Sequence, residues 1–190
     1  MNMIFLIGGP CSGKTTIAKD IINARDAVYL STGDIVREIA KTNEAMAESI
    51  KYGRLAPEHH MDEMTLSKLM YLSKRDRDVV IDGYPRYFEQ LFDIVTYLGD
   101  VRKFFYFVEA TYDEMQERDL QRGRVDNTES QFRNRFRIFQ ERTMPMVKLL
   151  QSRDEIISVD SDTTILQLDL EEHRAFGNGG TWANIGFYTT

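Results

Sequence analysis

Cysteine is almost missing from this 190-residue chain: Cys11 stands alone, so no intrachain disulfide can form. The three histidines, His59, His60 and His173, do not gather with other ligands at metal-binding spacing. No apolar run approaches the roughly 20 residues that a membrane-spanning helix needs, and the first residues lack the basic flank and long apolar stretch of a secretory signal. Positive charge is in deficit, with 24 Lys and Arg against 30 Asp and Glu for a net charge of −6. A surface built to coat nucleic acid neutralises backbone phosphates with Lys and Arg, so that class is excluded. Any polyanion bound here must meet a local basic cluster. The expectation is a cytoplasmic monomer with neither a membrane nor a nucleic acid as partner.

The length suits one well-buried α/β domain and is short for two. Apolar, β-branched or aromatic runs recur at 3–7, 27–30, 79–81, 103–108 and 155–159. Each is short and almost continuously hydrophobic, as strands covered on both faces of a parallel sheet must be. Helix-like segments fall at 16–24, 35–41, 45–52, 57–75, 88–98, 112–121, 130–151 and 163–174. The alternation predicts a doubly wound α/β fold, one domain over 1–174. Between the second and third strand-like runs the chain stays helical over about 31–77, far longer than a crossover requires, and this predicts an inserted helical subdomain. A short polar loop at about 122–128 projects where ligands bind in such sheets. The tail at 175–190 mixes Gly177, Gly179, Gly180 and Gly186 with Trp182, Phe187 and Tyr188; it reads either as a frayed terminus or as an aromatic anchor.

Directly after the first apolar run comes Gly8-Gly9-Pro10-Cys11-Ser12-Gly13-Lys14-Thr15, which fits G-x-x-x-x-G-K-[ST]. Glycines let successive N–H groups turn toward phosphate oxygens, the lysine reaches the β and γ phosphates, and the hydroxyl serves Mg²⁺. The helix opening at Thr16, with Ile17, Ala18, Ile21 and Ile22 on one face, aims its positive end at the anion. Cys11 is expected to border the donor phosphates, where N–H groups, the helix end and Lys14 favour a thiolate. Further along, Val79-Val80-Ile81-Asp82 is an apolar strand ending in a carboxylate suited to hold Mg²⁺ through water, or else a cap. Gly83-Tyr84-Pro85-Arg86 then turns sharply and delivers Arg86 near Lys14. Thr32 stands where it can cap a helix, and Gly53 where it can end one.

These pieces, with Leu30-Ser31-Thr32-Gly33-Asp34-Ile35-Val36-Arg37, Gly53-Arg54-Leu55-Ala56 and Gln90, are colinear with the motifs of the adenylate kinase family, which the chain resembles from about Met3 to Ser161. The resemblance implies a P-loop NTPase fold with a five-stranded parallel sheet, a helical insert for the acceptor nucleotide and a very short lid. It places Gly9 to Thr16 on ATP phosphates and Arg118 against the ATP base. On the AMP side it places Thr32 and Gln90 at the base, Arg37 on the phosphate, and Arg54, Leu55, Ala56 and Gly83 along the nucleotide. Lys14, Arg86, Arg124 and Arg135 become the catalytic cations, with Arg124 and Arg135 bridging both nucleotides, and Thr15 with Asp82 hold Mg²⁺, partly through water.

Arginine clusters from Arg118 onward, at Arg118, Arg122, Arg124, Arg133, Arg135, Arg137 and Arg142, the local basic site that the acidic balance demands. Neighbouring Glu117, Asp119, Asp126, Glu129 and Glu141 suit salt bridges, expected for Arg133, Arg137 and Arg142. The chain departs from the family at Cys11, where Gly is usual, at Thr15-Thr16 for Gly-Thr, and in the shortened segment after Arg122. The reaction implied is Mg·ATP plus AMP giving two ADP. A UMP, CMP or deoxynucleotide acceptor is the alternative, and a nucleotide-binding module without transfer activity is the reading from another class.

Overall fold

The computed structural model describes residues 1–53, 58–122 and 128–162. Five strands, β1 (Asn2–Ile7), β2 (Val28–Ser31), β3 (Val79–Asp82), β4 (Arg102–Glu109) and β5 (Ile157–Asp160), form one sheet in the order β2-β3-β1-β4-β5. Every neighbouring pair is parallel, with Phe5 opposite Ile81 on one side and Phe105 on the other. This bears out the expected P-loop architecture.

Strand β1 lies in the middle, so its alternating side chains must be apolar on both faces. Met3, Phe5 and Ile7 join Phe105, Phe107, Leu91, Ile94, Val147 and Leu150 in one core, while Ile4 and Leu6 join Ile17, Ala18, Ile21 and Tyr106 in the other. The second core is covered by α1 (Lys14–Arg25), whose buried residues Ile17, Ala18 and Ile21 recur at helical spacing. Between β2 and β3 run α2 (Thr32–Ala40), α3 (Glu44–Lys51) and α4 (Glu58–Leu72), and α4 packs on α5 (Phe88–Leu98). After β4 come α6 (Tyr112–Gln121) and α7 (Glu129–Ile138). Thr111 caps α6 and Thr128 caps α7 reciprocally with Glu114 and Gln131.

Three expectations need correction. The helix expected from residue 16 starts at Lys14, because Gly13 with φ of 99° makes the turn that lets it begin there. Ser31, not Thr32, caps α2: its Oγ accepts from the Asp34 N–H at 3.2 Å, and Thr32 is already helical. The single helix expected over 130–151 is instead α7, a π-helical turn (Phe139–Thr143) and α8 (Met144–Ser152). Pro145, in the first turn of α8, has no N–H to give to the carbonyl four residues back, and the ladder widens ahead of it so that the Met144 N–H reaches the Phe139 carbonyl. The helix expected at 163–174 and the tail lie outside the described residues. Among the described residues no helix is long and apolar enough to cross a membrane.

Candidate active site

The strand order reverses direction at β1, where α1 leads to one side of the sheet and β4 lies on the other, and the carboxyl ends of β1, β2 and β3 open into one cleft of about 520 Å³. Gly9, Pro10, Cys11, Ser12, Gly13, Lys14 and Thr15 line it, together with Asp82, Gly83, Arg86, Arg37 and Arg135. The loop folds around the lysine: Lys14 Nζ donates to the carbonyls of Gly8 at 3.0 Å and Gly9 at 2.6 Å and to Ser12 Oγ at 3.1 Å. Burial lowers the Lys14 pKa to about 8, with Asp82 opposing the shift and Arg86 adding to it. Thr16 stands exposed on α1, outside the cleft lining.

Asp82, buried at the end of β3, accepts from Thr15 Oγ1 at 2.7 Å and from the Tyr29 hydroxyl at 3.0 Å, both on Oδ2. Burial, then the Asp82 charge, pushes the Tyr29 pKa up to about 12, so this hydroxyl stays a donor. A hydroxyl and a carboxylate at hydrogen-bond distance beside a phosphate loop are hard oxygen ligands that fit Mg²⁺, which keeps most of its shell as water and phosphate oxygen. No cluster of three or more His, Cys, Asp or Glu able to hold a metal by itself exists among the described residues. Tyr29 is a member of this group that the sequence reading missed; a tyrosine two register steps before the end of β2 was the available signal.

Among the described residues, Arg86, Arg122 and Arg135 line the cleft at the phosphate loop. Arg86 is buried deeply enough that its pKa falls below the ordinary guanidinium range, Asp82 opposing the shift. Its Nε donates to the Gly83 carbonyl at 2.8 Å, and its own carbonyl accepts from Thr143 Oγ1 at 2.8 Å. Arg135 enters from α7 and is held by Asp119, 4% exposed, at 2.8 Å. Arg122, expected only as one of the basic cluster, lines the cleft and approaches Cys11 Sγ at 3.7 Å. It is one helical turn past Arg118, and the sequence alone cannot tell which turn meets the loop. Arg118 instead reaches the end of β5, donating to Ser161 Oγ at 2.9 Å, while its Nη1 is buried without a hydrogen-bond partner among the described residues. Arg133 and Arg137 pair with Glu129 and Glu141 as expected, and Arg142 stacks on Tyr87. Arg124 lies outside the described residues.

The expected Cys11 thiolate is overturned. Cys11 sits in the left-handed region at φ of 60°, lines the cleft, and donates through Sγ to Asp119 Oδ1 at 3.2 Å. Burial raises the thiol pKa and Asp119 raises it further, against the opposing pull of Arg122. Burial first, and then the carboxylate next to the sulfur, work against the thiolate that the positive helix end and Lys14 were expected to favour.

Of the residues expected on the acceptor, Thr32 and Gln90 gather around Arg86 but turn inward. Thr32 Oγ1 donates to the Asp82 and Gly83 carbonyls at 3.2 and 3.0 Å and lies 3.4 Å from Arg86 Nη2. Gln90 is buried, accepts from the Arg86 N–H and donates to Asp62. Neither lines the cleft, whereas Arg37, paired with Asp34, and Gly53 do. A Cβ on Gly83, at φ of 83°, would meet Thr32 Oγ1 at 3.1 Å and Arg86 Nη2 at 3.2 Å, so only glycine lets these two approach. Arg54, Leu55 and Ala56 lie outside the described residues.

Comparison with known proteins agrees with this geometry. UMP-CMP kinase 1 of Oryza sativa subsp. japonica is 30% identical over 171 residues, covering 87% of this chain and 70% of that protein. Adenylate kinase isoenzyme 1 of Oryctolagus cuniculus is 28% identical over 172 residues (86% and 88%), and the adenylate kinase of Prochlorococcus marinus is 28% identical over 178 residues (90% and 98%). The Adenylate kinase family model matches residues 6–155, from the end of β1 to the approach to β5. On that match and on the phosphate cleft beneath it, the chain belongs to the adenylate kinase family of nucleoside monophosphate kinases.

Proposed function

We propose that the protein is an adenylate kinase, transferring the γ-phosphoryl group of Mg·ATP to AMP to give two ADP. The observation that carries the reading is the cleft in which Lys14 and the phosphate loop face Arg86 and Arg135 across one continuous space. An acceptor phosphate oxygen is already ionised near neutral pH, so transfer needs alignment and charge stabilisation rather than a general base. Lys14, Arg86 and Arg135 would supply that charge, and Arg124 joins them by resemblance. Thr15 and Asp82 would hold Mg²⁺, which neutralises phosphate charge when bound. Asp119 and the Gly83 carbonyl keep the two arginines oriented before any nucleotide arrives.

Thr32 and Gln90 support AMP as acceptor, since a hydroxyl and an amide together match the amino group and ring nitrogens of adenine. A pyrimidine monophosphate is the second reading, favoured by the occupation of both side chains within the protein and by the similarity to UMP-CMP kinase 1. Initial rates with AMP, CMP, UMP and dAMP at saturating Mg·ATP decide between them. AMP is expected to lead CMP and UMP by at least about tenfold in kcat/KM, the consequence of one or more buried polar groups left unpaired by the wrong base. Comparable rates for all three would replace this reading with a broad-specificity kinase.

A further inference from the structure

Two hydrogen bonds decide which way round the Gln90 amide sits. Its Oε1 accepts from the Arg86 backbone N–H at 2.7 Å, and its Nε2 donates to Asp62 Oδ1 at 2.7 Å. A backbone N–H can only donate and a carboxylate can only accept, so an amide turned the other way would set donor against donor and acceptor against acceptor. Asp62 is itself fixed, because its Oδ2 accepts from the Tyr87 hydroxyl. It belongs to α4, in the helical stretch between β2 and β3, whereas Gln90 belongs to the first turn of α5 and Tyr87 immediately precedes that helix. Gln90 is only 6% exposed, so water does not stand in for a lost partner.

We propose that Asp62 is a positioning residue for base selection: by holding the Gln90 amide in one orientation it restricts the acceptor to bases carrying an exocyclic amino group beside an unprotonated ring nitrogen. The inference rests on the reading that Gln90 faces the acceptor base. In the fixed orientation Oε1 keeps a lone pair for an amino group and Nε2 keeps one N–H for a ring nitrogen. Adenine presents that order at N6 and N1, and cytosine at N4 and N3. Uracil presents the reverse, an accepting O4 and a donating N3–H, and would need the amide turned over. A freely turning amide would serve all three. Selection therefore resides partly in α4, whose Asp62 does not itself line the cleft.

The comparison of CMP with UMP isolates this effect, since the two acceptors match in size and differ in donor–acceptor order. kcat/KM is measured for AMP, CMP and UMP in the unsubstituted protein and in Asp62→Leu, Asp62→Asn and Gln90→Leu. The unsubstituted protein should use CMP over UMP by at least about tenfold. Asp62→Leu, which removes the acceptor, should shrink that ratio by about fivefold or more, while Asp62→Asn, which keeps an oxygen for Nε2, should hold it within about twofold. A loss of fold would lower all rates together and leave the ratio untouched; should the leucine variant not fold, Asp62→Ala, which also lacks an acceptor, is judged by the same thresholds. Equal use of CMP and UMP by the unsubstituted protein overturns the inference, as does an unchanged ratio in Asp62→Leu when Gln90→Leu alters it. If Gln90→Leu leaves every ratio unchanged, Gln90 does not face the base and the reading beneath the inference falls.

Discussion

Lys14 illustrates how burial within a loop of carbonyls tunes a cation. With its pKa lowered to about 8 from 10.5, the folded site gives up its proton at a lower pH than the unfolded chain does. Between these values the unfolded chain binds more protons, so the stability of the nucleotide-free protein should rise with pH through that window, with the Lys14 penalty fully present below it. Phosphate oxygens bring the missing counter-charge, so ATP binding at about pH 9 should take up a sizeable fraction of one proton. Calorimetry in buffers of different ionisation enthalpy reads this directly, and Lys14→Met should abolish it. Lys14→Ala should also cut phosphoryl transfer by a hundredfold or more, about the worth of one preorganised donor at a developing charge; near-normal turnover would remove this loop from the donor site. Cys11 makes an opposite point, a thiol held neutral where a thiolate was expected. Its alkylation at pH 7.5 should be at least about tenfold slower than in the denatured chain, and equal rates would mean that Asp119 does not hold the sulfur. The identity of the loop was legible because glycine spacing and a following helix are local signals. Asp119 was not, since nothing in sequence tells a carboxylate on a charged helix from one buried 108 positions away against the loop.

At the scale of elements, the widened turn at Phe139–Thr143 divides labour along what would otherwise be one helix. Before it, Arg135 faces the cleft; within it, Thr143 grips the Arg86 carbonyl; after it, Met146, Val147 and Leu150 fill the core. Pro145 was the sequence signal for this break, outvoted by the apolar periodicity around it. The start of α7 also fastens to the end of α3. Gln131 Nε2 donates to the Lys51 carbonyl, and Asn134 Nδ2 donates to the Tyr52 carbonyl at 2.8 Å and the Gly53 carbonyl at 3.3 Å. Replacing both Gln131 and Asn134 by alanine should lower hydrogen-exchange protection of the Tyr52 and Gly53 amides by about tenfold, the worth of one or two partly exposed hydrogen bonds, and leave β1 and β3 untouched. Unchanged exchange at Tyr52 and Gly53 would show that the contact carries no weight.

The architecture of the whole molecule was readable because a sheet covered on both faces writes itself as short continuous apolar runs, and each of the five runs became a strand with ends within about two residues of the expected ones. Strand order was less accessible: the pairing of β1 with β3 and β4 follows from non-local contacts that no window of sequence contains. The same holds for the inward turn of Thr32 and Gln90, which depends on carbonyls and a carboxylate delivered by β3 and α4. The fastening between α3 and α7 has one more consequence. Its donors are side chains and its acceptors are main-chain carbonyls, so substitutions at 51 and 52 cannot delete it. Gly53 is the exception, where at φ of 59° a Cβ would meet the Gln131 carbonyl at 2.7 Å. Evolution can therefore retune how tightly α7 holds the end of α3 by drifting α7 alone, while the partner segment stays free to vary around a single glycine.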